Sequence, residues 1–212
     1  MPYGFLNIAS TPSVKAAQAA NGAADYWAGF RGDRAFDRLG EAEAQFVGQR
    51  DSFFMATVSE TGWPYVQHRG GPPGFLKVLD ETTLGFADLR GNRQYISLGN
   101  MNADGRAALF LMDYPNRRRL KVYARAEARD LAGDPELAGR LALAGYKAKV
   151  ERGILLHVEA FDWNCPQHIT PRFTEAELAV ALAPVRERVQ ALEAENLRLR
   201  GLLDAAPVDK AK

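Results

Sequence analysis

A chain of 212 residues that is 47% hydrophobic and 25% charged has enough apolar material to bury a core without disulfides or a structural metal, which excludes the disordered and fibrous classes. Lys and Arg number 27 against 26 Asp and Glu, so net charge offers no general attraction to nucleic acid or to an anionic membrane, and any anion site must be local. Residues 1–20 lack the apolar stretch of a signal peptide and no spanning apolar run occurs. The single cysteine, Cys165, cannot close an intrachain disulfide, so a cytoplasmic protein with no membrane and no nucleic-acid partner is expected.

In chain order, residues 13–21 are alanine-rich and stop at Asn21-Gly22, the pattern of a helix and its end. Residues 40–50 predict a second helix with Ala42, Phe46 and Val47 on one face. From Asp51 the pattern changes to short alternating runs. Residues 53–58 and 64–68 form a hairpin around Glu60-Thr61-Gly62, and residues 75–79 and 83–87 pair around Asp80-Glu81. A helix over 93–101 precedes two more strands, 107–112 and 120–125. Asp134-Pro135 opens a helix over 137–150, and 154–161 is the last strand. Seven short strands with one helix between the first four and the rest predict an antiparallel barrel, closed or nearly so.

The C-terminal segment differs. Thr174 and Glu177 have capping-box spacing, and apolar residues then alternate by four and three: Leu178, Leu182, Val185, Val189, Leu192, Leu199 and Leu203, with polar Asn196 in the seam. The seam suits a parallel two-stranded coiled coil starting near Val185, past Pro184, or a helix laid back on its own barrel. The expected division is a helical extension over 1–50, a barrel over 51–173, a helix over 174–204 and a disordered tail over 205–212.

Two loops could carry chemistry. His68-Arg69-Gly70-Gly71-Pro72-Pro73-Gly74-Phe75 lies between strands; its glycines permit close backbone approach and Arg69 offers a fork of donors, although such runs also simply shape loops. Asp88-Leu89-Arg90-Gly91-Asn92-Arg93-Gln94 lies between a strand and a helix start, where free amides and the helix dipole favour a phosphate, or where arginines are merely solvated. Three scattered histidines, His68, His157 and His168, show no metal-ligand spacing. No Ser-His-Asp order, carboxylate pair or Walker loop is present, and no catalytic residue is named.

The segments 51–58, Trp63-Pro64, 68–75, Gly91-Asn92-Arg93 and 107–112 together resemble pyridoxamine 5′-phosphate oxidase-related flavoproteins. The resemblance runs from Asp51 to Arg125 and resumes over 161–173, where Phe161-Asp162-Trp163-Asn164-Cys165-Pro166-Gln167-His168-Ile169 is similar to a signature of the subgroup carrying Arg-Gly-Gly-Pro-Pro-Gly. It implies a mainly β FMN-binding split β-barrel with flanking helices, assembled as a homodimer. In that family an Arg and a Lys of the second strand and a Ser-Arg-Lys turn hold FMN. Arg69, with Gly70 beside it, and Lys77 look like the first pair, and Asn92, Arg93 and Gln94 look like the turn, Gln94 standing where a lysine is usual. Arg90 or the run Arg117-Arg118-Arg119 could restore the lost charge. Cys165 is a thiol near the flavin or a small buried residue.

The resemblance implies an FMN-dependent oxidoreductase acting on an unidentified small molecule, or a non-enzymatic flavin- or haem-binding module of the same fold. The segment with which the oxidases grip pyridoxal phosphate is not recognisable, which argues against vitamin B6 oxidation.

Overall fold

Strict alternation builds the sheet. Strand β1 (Ser52–Val58) turns Phe53, Met55 and Thr57 into the core and Phe54 and Ala56 outward. β5 (Arg106–Asp113) does the same with Ala107, Leu109, Leu111 and Asp113, and β6 (Arg118–Arg129) with Leu120, Val122, Ala124 and Ala126. The remaining strands are β2 (Pro64–Gly70), β3 (Lys77–Asp80), β4 (Thr83–Leu89) and β7 (Val150–Trp163). This computed structural model describes residues 4–28, 37–163 and 166–205.

The seven strands form one sheet in the order β2-β1-β5-β6-β7-β4-β3, and every neighbouring pair is antiparallel. The outer strands β2 and β3 do not hydrogen-bond to each other. Side chains close the gap: Phe53 of β1 stacks on Phe75 in the β2–β3 connection at 5.5 Å, and Phe86 of β4 meets both edge-on at 5.5 and 6.5 Å. All three rings are almost fully buried. Such pairs add roughly 0.5–1.5 kcal/mol beyond their burial. The result is a split barrel.

Helices cover the barrel. The short α1 (Phe5–Ala9), α2 (Pro12–Ala20) and α3 (Ala24–Ala28) precede it, with Phe5 stacked on Tyr123 of β6 at 4.5 Å. α4 (Glu41–Gly48) buries Phe46 and Val47, and its Glu43 accepts a hydrogen bond from Trp163 Nε1 at 2.8 Å. Just beyond it, Arg50 Nη1 donates to the Met112 carbonyl at 3.0 Å and fixes the entry to β1.

Two expected helices are shorter than their sequence patterns. The one placed at 93–101 is α5 (Ile96–Ala103), because Arg93 (φ 65°) and Tyr95 (φ 54°) are left-handed and cannot continue a right-handed helix. The one placed at 137–150 is α6 (Pro135–Leu141), with Asp134 Oδ1 accepting from Leu137 N at 2.9 Å. Beyond it Gly145 turns left-handed (φ 73°), and residues 150–152 are drawn into β7 by pairing with Leu89 and Asp88.

The described residues from Thr170 on belong to a second compact unit and contain α7 (Glu175–Ala205). The capping box is present: Thr174 N donates to Glu177 Oε2 at 2.7 Å, and Glu177 N donates to Thr174 Oγ1 at 3.2 Å. Pro184 does not end this helix; it lies within it. Among the described residues no helix is long and apolar enough to cross a membrane. Asn164, Cys165 and residues 206–212 lie outside the described residues, and with them the expectations for the thiol and most of the tail.

Candidate functional site

Inward-facing residues of β2 are Tyr65, Gln67 and Arg69, by the same alternation that buries Met55 opposite Gln67. Asp88 shares the inward face of β4 with Phe86 and Leu84. These two strands have four others between them in the sheet, yet Arg69 Nη1 donates to Asp88 Oδ1 at 2.9 Å. The bond ties the barrel together beside its gap. A cleft of about 320 Å³ opens there, a size found in small-molecule sites, between β2, the end of β4 and the 90–98 segment.

Phe75 and Phe86 give it apolar lining, and Arg69, Arg90 and Arg93 with Asp88 and Glu151 give it charged lining. Arg90 Nε donates to Glu151 Oε1 at 2.8 Å, and Tyr95 Oη donates to the same oxygen at 3.2 Å. Arg152, behind the cleft, lies 3.2 Å from Glu151 and 3.7 Å from Asp88. Burial pushes the Asp88 carboxyl above its ordinary value, outweighing Arg69 and Arg152, which pull it down. The Arg90 bond holds Glu151 below its ordinary value.

Arg93 is different. Among the described residues its guanidinium meets no hydrogen-bond or ion-pair partner, and the amides of Gly91, Asn92 and Arg93 have no hydrogen-bond acceptor. Gln94 N donates to Asn92 Oδ1 at 3.1 Å, which holds the turn. Left-handed residues alternating with others, at Arg93 and Tyr95, are the backbone form that gathers successive N–H groups into an anion-binding concavity. The first turn of α5 adjoins it, and there Ser97 Oγ donates to Gln67 Oε1 at 3.0 Å.

Arg69, Gly70, Asn92, Arg93 and Gln94 therefore come together at one cleft. Lys77 does not: on β3 it pairs with Gly85 of β4, and it is not among the lining residues. The Arg117–Arg119 run does not line the cleft either; Arg118 lies over the Trp163 ring at 4.7 Å and Arg119 over Phe110 at 5.6 Å. Nor is the glycine loop a cradle. Gly71 N donates to the Asp51 carbonyl at 2.9 Å and Gly74 N to that of Arg50 at 3.0 Å, so those amides are already engaged. A Cβ on Gly71 would come within 2.7 Å of the Phe75 ring.

The reading of the sequence missed Asp88 as the partner of Arg69, and missed Glu151 and Arg152 altogether. Alternation held the signal. Arg152 is in phase with Ile154 and Leu156, and Asp88 with Phe86 and Leu84, which puts both charges on the inward face.

The geometry fits an anionic cofactor such as FMN. Among the described residues Arg69 Nε is buried with no hydrogen-bond partner and Arg93 meets none, beside open amides along the same cleft. A buried donor left unpaired costs about 1–3 kcal/mol, which an acceptor would recover.

Among solved structures, the chain is similar to HupZ of group A Streptococcus (14% identity, 64% of this chain and 99% of that one, TM-score 0.45). It is also similar to an FMN-binding protein of Syntrophomonas wolfei subsp. wolfei (14%, 59% and 84%, TM-score 0.45). A third is General Stress Protein 26 of Bacillus anthracis (12%, 62% and 94%, TM-score 0.43). No curated protein matches it. Residues 39–159, more than half the chain, match the sequence family described as pyridoxamine 5′-phosphate oxidase. With its seven-stranded antiparallel split barrel, this chain belongs to the pyridoxamine 5′-phosphate oxidase family.

Proposed function

We propose that the chain is an FMN-dependent oxidoreductase, a cytoplasmic homodimer that acts on a small molecule. The observation that carries this reading is the pairing of a buried, unpartnered Arg69 Nε with a free Arg93 on a left-handed turn in one cleft. Arg93 and the amides of 91–93 bind the phosphate, and Arg69 adds a donor from the opposite wall. Asn92 and Gln94 hold the turn in shape through their own hydrogen bond. Gly70 keeps the wall beside Arg69 free of a side chain, and the buried rings of Phe75 and Phe86 exclude water from the part of the cleft they line.

FMN, when bound, accepts and donates the electrons. The protein supplies position and charge. Arg90, held by Glu151, adds positive charge to the rim where Gln94 stands in place of the usual lysine, and Arg152 supports Glu151 from behind the cleft. Among the described lining residues the carboxylates, Asp88 and Glu151, are both engaged by arginines, which holds each of them in a structural role at the rim.

The test is the absorbance spectrum and mass of the molecule that copurifies, followed by FMN titration and anaerobic reduction with NADH and NADPH. Bound FMN reduced by a donor and reoxidised by an acceptor in repeated cycles supports the proposal. Absence of flavin uptake overturns it, and bound flavin inert to every donor reduces it to a binding module.

A further inference from the structure

We propose that α7 is one strand of a parallel, in-register, two-stranded coiled coil formed by two copies of this chain. It deepens the homodimer proposed above and rests on that reading, but not on the cofactor.

The first observation is an unpartnered stripe. α7 runs 31 residues, and Leu178, Leu182, Val185, Val189, Leu192, Leu199 and Leu203 along it are all exposed, from 44% to 75%. The steps of four and three make Leu178, Val185, Leu192 and Leu199 d positions, and Leu182, Val189, Asn196 and Leu203 a positions. Pro184 then falls at a c position, on the outer side. The helix continues through it, so the seam extends from Leu178 and is longer than the stretch beginning at Val185.

The second observation is charge. In this frame the g positions include Arg188 and Glu195, and the e positions include Glu193 and Arg200. Parallel pairing sets each g residue against the e residue five places later on the other copy. Arg188 then meets Glu193, and Glu195 meets Arg200, attractive in both cases and repeated by symmetry. Glu195 is held by Arg198 within the single helix, at 2.7 Å, and Arg198 lies on the outer side at c.

The third is Asn196, the one polar residue in the a and d seam. In a parallel, in-register pair it faces its own copy and the two amides can bond. The antiparallel arrangement that also pairs opposite charges sets it against Val185, leaving a buried amide unsatisfied. Both arrangements satisfy charge, and Asn196 selects the parallel one.

The test uses the full chain in a Cys165→Ser background, oxidised at low concentration and read by non-reducing electrophoresis and light scattering. Asn196→Cys is expected to cross-link into a covalent dimer about tenfold or more faster than Arg198→Cys, whose side chains point away from each other. On Asn196→Cys, Arg188→Glu should slow the cross-link by placing Glu against Glu193. Arg188→Glu with Glu193→Arg should restore it, whereas an antiparallel pair would be weakened further by the double exchange. A protein that is dimeric but does not cross-link at 196 overturns the coiled coil and leaves the homodimer standing; a monomeric protein overturns both. Equal cross-linking at 196 and 198 also overturns the proposal.

Discussion

Arg69 on β2 donates to Asp88 on β4 at 2.9 Å, although β1, β5, β6 and β7 lie between their strands in the sheet. The hydrogen-bond ladder leaves the barrel split, and this ion pair helps close it at the cleft. The closure places a buried carboxylate against the arginine expected to receive a phosphate.

Asp88 should therefore make stability depend on pH with an uncommon sign. Burial raises its pKa above the ordinary 3.8, so the unfolded chain ionises first as pH rises. Stability present below that value is lost as pH climbs through the raised folded value. Urea unfolding of wild type and Asp88→Asn from pH 3.5 to 7 should give a difference, wild type minus variant, that falls with pH. The fall is about 1.4 kcal/mol for each pH unit that separates the folded from the unfolded pKa. A difference that rises with pH would mean that Arg69 and Arg152 stabilise the charged form more than burial penalises it.

Gly85 packs the outer side of β4 against α6. A Cβ there would lie 2.7 Å from Leu79 Cδ1 and 3.0 Å from Leu141 Cδ2. Gly85→Ala should cost roughly 1–3 kcal/mol through overpacking. Denaturant midpoints at unchanged slope would measure it, and the added Leu141→Ala exchange should show coupling by giving back part of the loss.

Gly71 should behave as a packing residue and not as part of the anion site. Gly71→Ala drives a methyl into the Phe75 ring and should lower stability by roughly 1–3 kcal/mol with FMN affinity within about twofold of wild type. A large loss of FMN affinity at full stability would return the phosphate to the glycine loop.

The sequence made the strands and the paired loops legible because alternation and turn residues act locally. Phe53, Met55 and Thr57 bury as their spacing requires, and Asp134 and Thr174 cap the helices expected of them. The helices expected over 93–101 and 137–150 give way at left-handed Arg93 and Tyr95 and at left-handed Gly145, and from Val150 the chain pairs with β4. The site was half legible. Arg69 and the 92–94 turn are where local signals placed them, but the Arg69–Asp88 and Arg90–Glu151 contacts join residues far apart in the chain through the curvature and pairing of the sheet, which no local pattern encodes. Lys77 rests on the family resemblance across the Gly-Pro insertion, and no residue of β3 lines the cleft.

Arg93 holds a conformation that an L residue adopts at a cost of about 1 kcal/mol, and its side chain meets no partner among the described residues. Arg93→Gly should therefore raise the free energy of unfolding by roughly 0.5–1 kcal/mol while weakening FMN binding. Equal or lower stability would show that the turn is not strained.

The most direct measurement is an equilibrium titration of flavin-free protein with FMN and with riboflavin, for wild type and Arg93→Ala. A charge-assisted phosphate contact contributes roughly 1.5–3 kcal/mol. The expected result is that wild type prefers FMN over riboflavin, and that Arg93→Ala loses about tenfold or more in FMN affinity with little change for riboflavin. Equal affinity of wild type for the two flavins, or an Arg93→Ala affinity for FMN equal to that of wild type, would contradict the placement of the phosphate in this cleft.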